Sequence, residues 1–274
     1  MRGWPAFLAL PLGCLAAVLV CVPRLAPAQD PAGEGAKPAA ALQKALAEHG
    51  IWLQPELGAC AIAARVLVRS DPLEYVLVNR SGNAHESLLV TEVVASELNV
   101  ALLSLGLQPG CNAVWTPRDP PPTREELLAG AQPYDVAPPQ GDGLRMYAAW
   151  KEKGELYFFR LEDLIRNLQS GRSLRRHEWV YLGSRSVPSR EDPAQQLFVA
   201  DLEGNLINLC FFEQGNTLLT GSLPECLQQT IWVGNSSLLP PAGEPVLFVF
   251  SRRALDCCPE ALRARVPEIL ADER

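Results

Sequence analysis

The stretch GNAHESLLVTEVVASELNVALLSLGLQPG, Gly82 to Gly110, decides how this chain is read. Its second half is the clearest helix in the sequence. Val94, Leu98, Ala101, Leu102 and Leu105 fall at i, i+4, i+7, i+8 and i+11, one face of a 3.6-residue period. Ser96 is placed to cap the helix, and Glu97 suits the positive end of its dipole. Gly106 stands where a left-handed C-terminal residue belongs, and Pro109-Gly110 supplies a turn. The first half is a polar corner between apolar runs. If residues 85–89 are extended, His85 and Ser87 share one face and Glu86 points the other way. Asn83, His85, Glu86, Ser87 and Asn99 are the polar groups that a cleft at this corner would share.

Outward from the corner the chain alternates short strands and turns. Cys60–Val68 and Leu73–Val78 read as strands around the turn Ser70-Asp71-Pro72, which predicts a hairpin. Prolines crowd residues 117–142 and rule out continuous regular structure there, although Thr123 with Glu126 three residues on forms a capping box for a short helix. Beyond it, Leu144–Trp150 and Leu156–Arg160 flank Lys151-Glu152-Lys153-Gly154 as a hairpin, and Leu161, Leu164, Ile165 and Leu168 mark a helix. The fold class expected is α+β, with mixed sheets and few short helices. A strand–turn–strand–helix module over 42–116 is followed by a Pro-rich connection and a β-rich module over 143–274.

The N-terminus has the layout of an export signal. Arg2 is followed by an apolar stretch from Ala6 to Val22, and Ala26-Pro27-Ala28 offers small residues for cleavage after residue 28. An uncleaved N-terminal anchor, with Arg24 on its distal flank, is the alternative. Residues 29–41 are expected as a disordered leader. Removing residues 1–28 takes away Arg2 and Arg24 and no acid, which moves the formal net charge from −7 to −9. A surface this acidic does not displace counterions from nucleic acid and is not drawn to anionic lipid. No later run is apolar for long enough to span a bilayer.

Cys60, Cys111, Cys210, Cys226, Cys257 and Cys258 remain after the signal. An even count in an exported chain points to disulfides. A metal or iron–sulfur site is the other use of cysteine, but no C-x-x-C occurs and no cofactor is expected. Position 89 is Leu, so His85-Glu86 lacks the second histidine of a zinc helix. No G-x-S-x-G elbow activates a serine. The leading expectation is therefore a non-catalytic binding or accessory protein of the cell envelope, in the periplasm or outside the cell, with an unidentified ligand or envelope partner. A hydrolase using His85 with Glu86 or Ser87, and a redox or metal protein using the cysteines, are the alternatives.

In these residues the chain resembles the YdjY-type family of exported bacterial proteins. The resemblance is carried by Leu73–Val78, Gly82, the HESLL run from His85 to Leu89, Ala101-Leu102-Leu103 with Leu105-Gly106, and Pro109-Gly110. Weaker echoes lie at Trp179 with Leu182-Gly183-Ser184, at Ala200-Asp201 with Gly204-Asn205-Leu206, and at Pro240-Pro241 leading into Val246. The resemblance implies export and a mixed α/β fold, and it brings no established activity. Some members are labelled ferredoxin-like; the spacing of the cysteines here does not support transferring an iron–sulfur cluster.

Overall fold

The structure is a computed structural model that describes residues 32–269. The expected signal, residues 1–28, lies outside the described residues. The chain separates at Pro38 into two units, and the body from Ala39 onward is one compact unit.

The centre of that body is a barrel of eight strands. In chain order they are β1 (Ala59–Val66), β2 (Tyr75–Val78), β3 (Ser87–Val90), β4 (Gly143–Glu152), β5 (Trp179–Tyr181), β6 (Asn205–Asn208), β7 (Leu219–Thr220) and β8 (Pro245–Ser251). The hydrogen-bonded order is β1-β8-β4-β5-β7-β6-β2-β3, and β3 returns to β1 through Arg65↔Val90 and Val66↔Leu89. The β6–β7 and β2–β3 pairs are parallel; the other barrel pairs are antiparallel. Further strands, Ile51–Gln54, Glu155–Arg160 and Glu268–Ile269, attach to β1 and β4.

Alternation along each strand sorts the side chains into two cores. Val246, Phe248 and Phe250 of β8, Met146, Ala148 and Trp150 of β4, and Cys60, Ile62 and Ala64 of β1 join the main core. An eight-stranded barrel is just wide enough for such side chains to fill it. The alternate residues Leu247, Val249, Tyr147, Ala149 and Ala61 form a second cluster, covered by Cys258, Leu262 and Val266. The helix Ala95–Ser104 buries Leu98, Ala101 and Leu102 of the predicted stripe together with Ala95, while Val94 is exposed, and Gly106 takes φ +81° as expected. Its first turn is capped from outside the helix: the Asp201 carboxylate accepts from the Ser96 N–H (2.8 Å), and Val94, not Ser96, holds the N-cap position.

The mixed fold expected from the sequence holds, with strands dominating and helices few and short. The hairpin Gly143–Glu152/Glu155–Arg160 and the Thr123/Glu126 capping box form as predicted. Four expectations need correction. Cys60–Val68 and Leu73–Val78 do not pair with each other; β1 pairs with Ile51–Gln54, β8 and β3, because alternation identifies a strand without choosing its neighbour. The two modules divided at 117–142 are one: β1 to β3 and β4 to β8 share a single sheet, and the Pro-rich stretch is an excursion from it, with a small hairpin of Val114–Pro117 on Tyr134–Ala137. Residues 161–168 make one 3-10 turn and a short strand rather than a helix. A helix covers Ala32–Glu48, so the described part of the expected disordered leader is helical; alanine-rich sequence favours helix, and Leu46 is buried in the core.

The disulfide expectation is also corrected. All six cysteines are free, with Cys60, Cys210, Cys226 and Cys258 buried and Cys111 and Cys257 exposed. Buried thiols pack as small hydrophobes and need no partner. Burial pushes the Cys60 and Cys226 thiols up to about 12, far from the reactive thiolate.

Candidate functional site

Strand β3 begins at Ser87, and Ala84–Glu86 forms a single 3-10 turn before it. This turn separates the two groups expected to meet. The His85 side chain is 77 % exposed and lies 3.6 Å from the Glu86 carboxylate. Ser87 is buried, and its hydroxyl donates to the Asn83 carbonyl (2.6 Å). Asn99 is elsewhere, accepting from the Tyr181 hydroxyl (2.5 Å). The five predicted residues therefore do not share a cleft, and Ser87 has no base beside it. Glu86 does meet a second acid: burial, and then the neighbouring Glu86 carboxylate, push Glu74 above the ordinary carboxylate range.

Asn83 is the predicted residue that leads to the site. Its Nδ2 donates to the Tyr75 hydroxyl (2.9 Å), and its backbone N–H donates to Asn205 Oδ1 (3.0 Å). Both partners line a cleft of about 260 Å³, together with Glu203, Asn208, Phe212, Glu213, Gln214, Asn216 and Thr217. Two glycines set this geometry. A Cβ on Gly82 would lie 2.5 Å from the Gly204 carbonyl and 2.8 Å from Asn205 Oδ1. Gly204 itself has φ +72° and closes the short helix Val199–Glu203. Only two residues without side chains let the loop at Asn79–Asn83 lie directly on the start of β6.

The β6–β2 ladder is irregular where the cleft opens. Its pairs are Asn205↔Val78, Ile207↔Leu77 and Asn208↔Tyr75, with register shifts between them. Bulges of this kind re-aim side chains and occur beside functional sites. Here they set Asn208 opposite Tyr75, whose ring stacks on Phe212 at 5.1 Å and 8°. Asn208 is 6 % exposed, and its Oδ1 has no hydrogen-bond partner among the described residues. Around the rim, Asn216 Nδ2 donates to Glu203 Oε1 (2.5 Å), and Arg185 Nε donates to Asn216 Oδ1 (2.8 Å). Burial pushes the Tyr75 phenol up; the Asn83 hydrogen bond opposes this, and the carboxylates of Glu74, Glu86 and Glu203 add to it.

The sequence offered one signal for this wall. Asn205 and Asn208 punctuate an otherwise apolar strand run, and asparagine is depleted in strands. Among the described residues no group of three or more His, Cys, Asp or Glu side chains is placed to hold a metal ion. No described helix is long and apolar enough to cross a membrane.

The fold is thus a closed mixed β-barrel carrying a polar, acid-rimmed cleft on its wall. Residues 59–251 match the model of the YdjY domain, and the chain belongs to that family. The matched interval starts at the first residue of β1 and ends at the last residue of β8, so the family domain is the barrel. No curated protein matches the chain, and neither does any solved structure.

Proposed function

We propose that this chain is a non-catalytic binding or accessory module of the cell envelope, and that its ligand seats in the cleft between Tyr75 and Asn208. Export rests on the sequence layout of residues 1–28. The binding reading rests on one observation: Asn208, nearly fully buried in the cleft wall, holds an acceptor with no partner. Leaving such a group unsatisfied costs about 1–3 kcal/mol, so its presence calls for a compensating partner. A ligand donor supplies it.

The test is a protein-detected NMR screen of small polar molecules against the wild-type protein and Asn208→Leu. Hits are expected to shift the amides of Tyr75, Asn205 and Thr217 and to be lost in the variant. Hits that map elsewhere, or survive the substitution, overturn the reading. So does any defined turnover that His85→Ala abolishes with the fold intact. Fractionation of cells expressing the full chain tests export, with retention in the cytoplasm as the opposing result.

A further inference from the structure

We infer that the ligand of this cleft is a small organic molecule bearing a protonated amine. The inference rests on the binding reading above and goes further by fixing the ligand's charge and size. The rim carries two carboxylates, Glu203 and Glu213, and no Lys or Arg lines the cleft. The guanidinium of Arg185, next to the rim, already donates to Asn216 Oδ1. Glu203 has one oxygen held by Asn216, which leaves Oε2 free to accept. Asn208 Oδ1, buried in the cleft wall, adds an unpartnered acceptor.

Charge decides which donor fits. An anion would face two carboxylates on the rim, against the Arg185 guanidinium beside it. A neutral polyol would satisfy the acceptors but would leave both carboxylates partly desolvated without a counter-charge. An ammonium group does both at once, through charge-assisted hydrogen bonds about twice as strong as neutral ones. The stacked pair Tyr75–Phe212 supplies an aromatic wall on which a cation or an apolar body is stabilised. A volume of about 260 Å³ is below the ~300–1,000 Å³ usual for drug-sized ligands, so the body is small, on the scale of a monosaccharide or a short diamine.

Matched pairs of probes test this by titration calorimetry on the full chain: glucosamine against glucose, and 1,4-diaminobutane against 1,4-butanediol. In at least one pair the amine is expected to bind about tenfold or more tightly than its hydroxyl counterpart. That preference should shrink with added salt and in Glu213→Gln, vanish in Asn208→Leu, and stay unchanged in Glu268→Gln, a surface carboxylate on the strand beside Lys151. If the hydroxyl members bind as well as the amines, the ammonium inference is overturned and the binding site stands. If the NMR screen maps only neutral or anionic molecules to the cleft, the inference is likewise overturned. If neither pair binds and the screen gives no hit at the cleft, both fall together.

Discussion

Replacing Asn208 with Leu should make the protein more stable while removing its binding. The side chain is 6 % exposed and its Oδ1 is unpartnered. An unsatisfied buried amide group costs about 1–3 kcal/mol. Leucine has the same branching at Cγ and carries no polar atom, so the cost disappears with little change of shape. Imperfect fit of the added methyl groups takes back up to about 1 kcal/mol, leaving a net gain of about 1–2 kcal/mol. For a body of this size that raises the melting temperature by roughly 2–8 °C. Urea unfolding followed by tryptophan fluorescence reads the change through buried Trp150, Trp179 and Trp232. The midpoint should rise with no change in slope. The wild type should gain about 2.7 kcal/mol from a ligand present at a hundred times its Kd, and the variant nothing. A loss of more than about 1 kcal/mol in Asn208→Leu would refute the reasoning, because it would mean that the amide is already satisfied in the free protein.

Three further outcomes are expected. The Glu162 carboxylate is fully buried and bridged by Arg160 Nε (3.0 Å) and Nη2 (2.9 Å), with the Trp179 indole N–H at 3.2 Å. Arg160→Met should cost about 3–5 kcal/mol by stranding that charge, and adding Glu162→Leu should recover most of it; additive losses in the double-mutant cycle would contradict the pairing. The folded-state pKa of Glu74 lies above its unfolded value, so the native state favours the protonated form and ionisation at neutral pH costs stability. Glu74→Gln should therefore raise the melting temperature at pH 7 by roughly 1–2 °C, an advantage that disappears as pH falls through the Glu74 pKa toward about 4. Gly82→Ala should destabilise the protein by about 2 kcal/mol or more, because its Cβ meets the Gly204 carbonyl backbone, and should weaken binding of any cleft ligand; calorimetric and thermal measurements on one preparation check both.

Local rules carried far along this chain, and non-local pairing is where they stopped. The Lys151–Gly154 hairpin, the stripe from Leu98 to Leu105 with its Gly106 end, and the Thr123 capping box are each written within about a dozen residues, and each forms. The barrel is not written that way. Nothing in Cys60–Val68 says that it will lie against Pro245–Ser251, nearly two hundred positions on. The site shows the same limit. His85, Glu86 and Ser87 attract notice because they are titratable and adjacent, yet one 3-10 turn sends His85 to solvent and Ser87 to the interior. Asn83 proved informative for what it touches: Tyr75 and Asn205, more than a hundred residues apart. Asn208 was visible only as a polar residue out of place in a strand.

Strand β8 stands between β1 and β4, in register with each: seven paired positions on one side, from Arg65↔Pro245 to Ala59↔Ser251, and five on the other. A chain interrupted before residue 245 therefore keeps two bare, apolar strand edges facing each other across an empty slot. The N-terminal half cannot complete its wall before residues 245–251 are available. Such an intermediate is open to pairing with a neighbour's strand until the last part of the barrel arrives. Closure of the barrel therefore waits on residues 245–251, and a free peptide of sequence Pro245–Ser251 is the natural reagent for trapping the truncated form.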